Sequence, residues 1–583
     1  MRNMQYSELA EVFDKMEQTS SRLAMTEIMS GFFKTADKRF IKNVVYLLQG
    51  KLHPDFVQDK LGMAEKLVLK TIVFTTGEKE AEAERMWIKE GDLGTLAEML
   101  ISKKKNRTLF SEPLKFDYVM EKFTQIENAE GRDSQDKKMK MLANLLHNSG
   151  PVEARYICRT VTGKMRTGAA SMTILDALAD AFATKEQRDE VERAFNITSD
   201  LGLVAETLAL NGIDGVRNIH VKVGSPIKVM LAERLPSIPE ILEKMDGKCA
   251  LEYKYDGIRV QAHISENDVK LYSRRLEDLT ANFSDIGRSL KSQFKGKEAI
   301  VEGECVSVGA DGNLLPFQNV THRRRKHGME DALEKYPVKV FLFDLLFLDG
   351  KDMTLQPYLE RRNMISNVFD ITGNVQMSSM LEVDKAENAE QFFEGALEAG
   401  CEGIMAKSVT DESIYRAGSR GFLWIKYKKD YRTDLTDSFD LAVVGAFYGM
   451  GKRAGKYGAL LMASFNPVTG MYETTCKLGT GFDDAFLDGM PALLDGYKSQ
   501  SKPKNVNAKM IPDVWFTPNV VLEVVGAEIS TSPIHTAAFG IVKEDAGLGI
   551  RFPRFTGRVR SDKNADQSTT VQEIAEMYDM QSY

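Results

Sequence analysis

Cysteine is scarce and dispersed. The five in the chain, Cys158, Cys249, Cys305, Cys401 and Cys476, are far apart in its 583 residues, so no C-x-x-C pair exists to build a zinc site or a redox couple. Free thiols in a reducing compartment are the expectation. No apolar run reaches the roughly 18 residues that cross a bilayer. The opening MRNMQYSELAEVFDKM carries acidic residues where a secretory signal would be apolar, and both absences point to the cytoplasm. Repeats of fixed period and low-complexity tracts are missing as well, which argues against solenoids and fibres. So is an excess of positive charge: 77 Lys and Arg stand against 84 Asp and Glu, a net charge of −7. That sum argues against a nucleic-acid binder, because phosphate contacts come from cations. Distribution qualifies it, since basic clusters recur at Lys103-Lys104-Lys105-x-Arg107, Lys137-Lys138-x-Lys140, Arg323-Arg324-Arg325-Lys326 and between Arg551 and Lys563. A solvated face explains any one cluster alone, and only their recurrence points to a polyanion.

What is present describes a large globular protein. Hydrophobic residues make up 43% and charged residues 28%, enough to bury sizeable cores and not biased toward disorder. The length exceeds what one core supports and implies about three to four domains, of which three are legible. Residues 1–217 read as helical, because segments such as SELAEVFDKMEQ and QRDEVERAFNITSDLGLVAETLAL repeat apolar residues at spacings of three and four. A stretch with Gly224, Pro226, Pro236 and Pro239 then marks a connection into a different unit. Residues 218–429 alternate short β-branched and aromatic runs with helical pieces such as AENAEQFFEGALEAG, an α+β pattern. Residues 430–583 return to short strands with glycine turns, which suits a small β-barrel of the OB type.

The chemistry centres on Glu252-Tyr253-Lys254-Tyr255-Asp256-Gly257-Ile258-Arg259, inside a strand-like run. K-x-D-G alone is weak, since average residue frequencies place it in roughly one protein of this size in ten by chance. A lysine in a strand between tyrosines is at least partly buried, which disfavours its ammonium and frees the amine as a nucleophile. The plainer alternative is a snorkelling lysine paired with Asp256 or Glu252. The remainder of the sequence favours the nucleophile. Downstream, in order, come Ser273-Arg274-Arg275, Val301-Glu302-Gly303-Glu304, Phe341-Leu342-Phe343-Asp344, Glu402-Gly403-Ile404, Trp424-Ile425-Lys426-Tyr427-Lys428 and Arg560-Ser561-Asp562-Lys563. As a set they supply what nucleotide transfer needs. Two lysines on one strand face can neutralise an α-phosphate. Carboxylates such as Glu304 and Glu402 can hold a hard divalent ion that keeps several waters. The Phe343 ring offers a purine a stacking surface.

This ordered series resembles the covalent nucleotidyltransferase superfamily, and within it the archaeal and eukaryotic-type ATP-dependent DNA ligases, over essentially the whole chain. The resemblance implies a helical DNA-binding domain, an α+β adenylation domain and a C-terminal OB-fold. It implies ATP as AMP donor and Mg²⁺, with Mn²⁺ as an alternative. Lys254 would form the phosphoramidate, with Glu252 near the adenine and Arg259 near the ribose or the incoming 5′-phosphate. Arg274 would be a further nucleotide contact, Glu304 would lie at the ribose or metal, Phe343 would stack on adenine and Glu402 would bind metal. Arg420, Lys426 and Lys428 would meet the phosphates, and Arg560 and Lys563 would orient the pyrophosphate. In the helical third, Arg155 and Arg159 stand four apart and a glycine-bounded turn holds Lys164 and Arg166, a set suited to phosphates without reading bases. Helix capping with solvated basic residues is the bland alternative there.

Nicked duplex DNA is thus the expected partner and a monomer the expected state, with a role in archaeal replication, repair and recombination. A sliding-clamp tether is expected around Asn106 to Phe110, although Asn106 and Leu109 depart from the Q-x-x-F-F pattern of relatives. RNA ligases and capping guanylyltransferases share the lysine chemistry but normally lack such a helical domain. An NAD-dependent ligase would bring a cysteine-rich zinc module that is missing here. A catalytically silent DNA-clamping homologue is the rival of another class.

Overall fold

The computed structural model describes residues 4–57, 61–103, 113–323, 329–428, 438–449 and 456–580. The clamp-tether stretch from Asn106 to Phe110 lies outside them. Two compact units emerge, residues 1–80 with 93–432 and residues 81–92 with 433–583.

In the first unit, α-helices follow one another as far as Arg217 with no strand among the described residues. Three helices carry the basic residues of interest and their partners: α1 (Tyr6–Glu17), α2 (Leu93–Ser102) and α3 (Pro151–Thr162). α1 buries Tyr6, Leu9, Ala10, Phe13 and Met16, the three-and-four spacing of one apolar stripe. Each large side chain removed from water there contributes about 1.5–3 kcal/mol. α3 starts at Pro151, where the missing N–H is one the helix would leave unpaired anyway. The Glu153 carboxylate accepts from the Gly150 N–H at 2.6 Å, and Gly163 closes the helix at φ +67°, a conformation cheap only for glycine.

Two sheets build the rest of the unit. Their strands in chain order are β1 (Leu231–Arg234), β2 (Cys249–Lys254), β3 (Ile258–Ile264), β4 (Val269–Ser273), β5 (Ala299–Ser307), β6 (Val338–Leu348), β7 (Lys351–Asp352), β8 (Val375–Met377), β9 (Met380–Val383), β10 (Gly403–Ser408) and β11 (Arg420–Lys428). One sheet runs β1-β11-β10-β2-β9; the other runs β4-β3-β5-β6-β7, with β8 paired to β6. Helices α4 (Tyr358–Val368) and α5 (Ala386–Glu398) contribute Ile365 and Phe393 to the apolar clusters behind the sheets. The helical region and the sheets share one compact unit. Ile197 clusters with Ile227, Met230 and Trp424, the Lys228 N–H donates to the Asn196 carbonyl at 2.8 Å, and Arg193 pairs with Asp352 at 2.9 Å.

In the second unit, β12 (Phe439–Tyr448) pairs antiparallel with β13 (Tyr457–Asn466), which pairs with β14 (Met471–Leu478). On its other side β12 meets Val521–Val525, and that strand meets Arg554–Val559. Phe439, Leu441, Leu460, Met462 and Leu522 form its core. The strand-rich unit is compatible with an OB-fold. No helix among the described residues is long and apolar enough to cross a membrane.

Candidate active site

The chain leaves β2 at Lys254, turns through Tyr255-Asp256-Gly257 and enters β3 at Ile258, so this short string links the two sheets. Gly257 is required by closeness, because a Cβ there would stand 2.4 Å from the Cys305 carbonyl oxygen. A cavity of about 480 Å³ opens beside the link, and both sheets line it. From the five-stranded sheet come Glu252 and Lys254 of β2, Met405 and Lys407 of β10, and Arg420, Trp424, Lys426 and Lys428 of β11. The other sheet supplies Arg259, Glu304 and Phe343, with Arg274 just past β4.

Register explains the convergence. β10 lies between β2 and β11, with Gly403 opposite both Lys254 and Lys428, and Met405 opposite both Glu252 and Lys426. Side chains two apart on a strand share a face, so one face of three neighbouring strands carries the polar set into the cavity. At Gly403, φ is +151° and a Cβ would sit 2.2 Å from the Tyr427 carbonyl oxygen. Only glycine fits there, and it lets Glu402, just before it, reach sideways. Its carboxylate Oε2 lies 2.6 Å from Lys254 Nζ and 2.6 Å from Lys428 Nζ. The ion pair of Lys254 is therefore with Glu402, and neither Asp256 nor Glu252 is its partner.

The electrostatics are those of an anion site with a carboxylate pair at its floor. Burial would lift the Glu402 carboxyl, but Lys254 and Lys428 outweigh it and hold it down. Burial and then Glu402 push Asp256 up. Glu304 is raised to about 7 by burial and by the Glu402 and Asp256 carboxylates, against the pull of Lys254 and Arg259. Burial, then Lys428, Arg420 and Lys254, lower Lys426. Cations crowded without equal counter-charge attract phosphate. Among the described residues no group of three or more His, Cys, Asp or Glu could hold a metal ion. Glu304 and Glu402 nevertheless fit Mg²⁺, which takes one or two protein carboxylates and completes its shell with water and substrate phosphate. A divalent cation would also offset the repulsion that raises Glu304.

All ten central residues anticipated from sequence line this cavity, but several are more committed than free ligand contacts would be. Glu252 is buried, with Oε1 accepting from the Tyr358 hydroxyl and lying 3.2 Å from the Arg362 guanidinium. Arg259 donates to Glu302 at 2.7 Å and to the Met230 carbonyl at 3.1 Å, with its guanidinium 5.3 Å from the Phe343 ring centre. In the second unit Arg560 and Lys563 converge on Asp440, at 2.5 and 2.7 Å.

The basic helix face is placed differently from what its spacing suggests. Arg155 is held by both Glu98 oxygens at 2.7 Å and by Asp14 at 3.0 Å. Arg159 is 2% exposed and grips Glu17 at 2.7 and 2.9 Å. Carboxylates of α1 and α2 thus take the charges of α3, and these two arginines brace helices where phosphate contact was expected. Lys164, paired with Glu65 at 2.7 Å, and Arg166, at φ +60° in the turn, are less enclosed.

Sequence reasoning missed Lys407, Trp424, Tyr358 and the Arg361–Asp344 pair. Lys407 and Trp424 were detectable, because they continue the two-residue period of Gly403-Met405 and Lys426-Lys428 on the cavity face. Tyr358 and Arg361 come from a helix far along the chain, and no local signal marks them.

Three family models match the chain: DNA ligase N terminus over 5–179, ATP dependent DNA ligase domain over 229–428 and ATP dependent DNA ligase C terminal region over 453–563. Curated relatives include DNA ligase 2 of Thermofilum pendens, 47% identical over 589 residues, covering 99% of this chain and 98% of the relative. A DNA ligase of Pyrobaculum calidifontis is 44% identical, with 99% of each chain covered. The solved structure named Pmar-Lig_Pre superposes with a TM-score of 0.55 at 17% identity, covering 95% of this chain and 99% of its own, a likeness of fold.

Proposed function

The chain belongs to the ATP-dependent DNA ligases, enzymes that join DNA ends, and from that premise we propose that it seals 5′-phosphate/3′-hydroxyl nicks through an adenylate carried on Lys254. The observation that supports this is the place of Lys254: at the link between the sheets, in the cavity wall, with Glu402 and Lys428 beside it and Lys426 and Phe343 in the same lining.

The Lys254 Nζ lone pair attacks the α-phosphorus of ATP, a P–N bond forms, and the P–O bond to pyrophosphate breaks. A 5′-phosphate oxygen at the nick then takes AMP from the lysine, and the 3′-hydroxyl displaces AMP to close the backbone. All three transfers spread charge over phosphoryl oxygens, so positioning and neutralisation are what the protein must supply. Lys426, Lys428, Arg274 and Arg420 supply cations around the phosphates. Phe343 stacks on adenine, and Arg259, fixed by Glu302, stands near the ribose or 5′-phosphate. When bound, Mg²⁺ neutralises charge on the transferring phosphate, and Glu304 and Glu402 are the residues that would hold it. Arg560 and Lys563 orient the leaving pyrophosphate, and Lys164 and Arg166 contact DNA phosphates.

The metal assignment has a direct test. Glu402→Ala is expected to slow adenylate formation at saturating ATP on the order of 10²-fold and to raise the Mg²⁺ or Mn²⁺ concentration needed for half-maximal rate. An unchanged metal titration would remove Glu402 from that role. A sliding clamp is a further partner we propose, bound through residues 106–110 by an otherwise monomeric, cytoplasmic enzyme. Leu109→Ala with Phe110→Ala is expected to abolish calorimetric binding to the cognate clamp, and an unchanged isotherm would refute the tether. Matches to DNA ligases over the whole chain weigh against an RNA ligase or a capping guanylyltransferase.

A further inference from the structure

The reaction above gives Arg560 and Lys563 a task, the orientation of pyrophosphate, and gives none to the carboxylate that holds them. Asp440 is the second residue of β12, and its side chain is 10% exposed. One oxygen, Oδ2, accepts from Arg560 Nη1 at 2.5 Å and from Lys563 Nζ at 2.7 Å. The other, Oδ1, is buried and accepts nothing among the described residues. A carboxylate that serves the fold matches both oxygens, as Asp344 does with Arg361, because an unmatched acceptor away from water is costly. Asp440 turns one oxygen to two cations and leaves the other idle, which marks it as a holder of those cations.

Its mounting is rigid. The Asp440 N–H donates to Thr569 Oγ1 at 2.9 Å, its carbonyl accepts from the Thr569 N–H at 2.7 Å, and it stands opposite Glu523 in the pairing of β12 with Val521–Val525. The residues it holds are of the opposite kind. Arg560 and Lys563 lie in a turn beyond the strand Arg554–Val559, on long side chains with much rotamer freedom to lose. Asp562 accepts from Arg560 Nε and Nη2 at 2.9 and 2.7 Å, so it fixes the guanidinium alone. Asp440 is what brings the two cations together. Lys563 still has two of its three N–H groups without a partner among the described residues, and its side chain is 33% exposed. A pair of cations gathered in advance on a fixed carboxylate suits a ligand with anionic oxygens on neighbouring phosphorus atoms, because the ordering cost is not met when the ligand arrives.

We propose that Asp440 is a positioning residue for the first transfer, gathering Arg560 and Lys563 into one pair and so governing both the departure of pyrophosphate from ATP and its return. In the return reaction a pyrophosphate oxygen attacks the α-phosphorus of the lysyl adenylate, the P–N bond breaks and ATP re-forms. The proposal rests on the reading that these two cations orient pyrophosphate. Asp440 touches no phosphate itself, and the two later transfers, which involve no pyrophosphate, do not call on it.

The experiment compares the wild type, Asp440→Asn and Asp440→Ala in three reactions of the full chain: adenylation of Lys254 by ATP, removal of AMP from the adenylated enzyme by added pyrophosphate, both followed by intact mass in quenched time courses, and sealing of a nick that already carries AMP. Both variants should slow adenylation about 10- to 100-fold, the loss expected for charge-assisted hydrogen bonds. The pyrophosphate concentration for half-maximal removal of AMP should rise about tenfold or more, while sealing of the adenylated nick stays within about twofold of the wild type. Equal losses in all three reactions would mean that Asp440 only holds its unit together, and overturn the proposal. Unchanged adenylation and an unchanged pyrophosphate dependence would overturn it as well. Lys563→Met separates this from failure of the underlying reading: if that change leaves the pyrophosphate dependence where it was, the cation has no part in orienting pyrophosphate and that assignment falls first. If Lys563→Met shifts the dependence and the Asp440 variants do not, the proposal alone falls.

Discussion

Lys254→Ala incubated with ATP and Mg²⁺ gains no adenylate, whereas the wild type gains one, and nick sealing from ATP falls by at least about 10⁴-fold, as when a covalent nucleophile is removed elsewhere. The reason is atomic. Without Nζ no P–N bond can form, and the other lysines lining the cavity do not take its place. Lys428 shares Glu402 with Lys254 from the opposite neighbouring strand, Lys426 faces Met405 further along, and Lys407 is enclosed by rings. A second expectation separates lost chemistry from lost fold. A nick already carrying AMP on its 5′-phosphate needs only attack by the 3′-hydroxyl, so Lys254→Ala should still seal it at a measurable rate. An adduct mapped to another lysine, or no adduct on the wild-type protein that still binds nicks, would overturn the assignment. The second outcome would describe a silent DNA-clamping homologue.

Legibility differed between residues for physical reasons. The polar residues of β2, β10 and β11 are spaced by two, and a strand turns that spacing into a common face, so Glu252, Lys254, Lys426 and Lys428 could be placed from sequence. Phe343 and Glu304 are recognisable as chemistry, but their meeting with Lys254 depends on the Asp256-Gly257 turn joining two sheets, which spacing alone does not reveal. The helix face of Arg155 and Arg159 shows the opposite case. A four-residue interval correctly puts both on one side of α3, yet it says nothing about what lies opposite. Glu17 and Glu98, distant in sequence, occupy that side. Hydrogen bonds from Arg159, Tyr156 and Arg155 outweigh burial and hold the Glu17 carboxyl down to about 2, which marks a tightly paired internal cluster. Arg560 and Lys563 were legible as cations, and their partner Asp440 was not, because it lies at the start of β12, far back along the chain.

The Arg361–Asp344 pair, also invisible to local pattern, carries the largest expected effect on stability. Both side chains are fully buried, with Arg361 Nε and a terminal nitrogen donating to the two Asp344 oxygens at 2.7 and 2.9 Å. The other terminal nitrogen donates to the Gln356 and Ser413 carbonyls at 2.7 and 2.9 Å, so one guanidinium ties α4, β6 and the segment before β11 together. Removing it strands a carboxylate and two carbonyl oxygens away from water, and breaking a buried pair in this way costs about 3–5 kcal/mol. Arg361→Met should therefore lower the opening free energy of the β6 amides by that amount in native-state hydrogen exchange, a local measure suited to a chain of several cooperative units. Replacing both partners, Arg361→Met with Asp344→Leu, should restore most of it, since the penalty lies in the unpaired charge and not in the missing pair. Because Asp344 adjoins Phe343, the single variant should also raise the KM for ATP more than it lowers kcat. A single variant whose β6 protection stays within about 1 kcal/mol of the wild type would show that the pair does not hold this wall of the cavity.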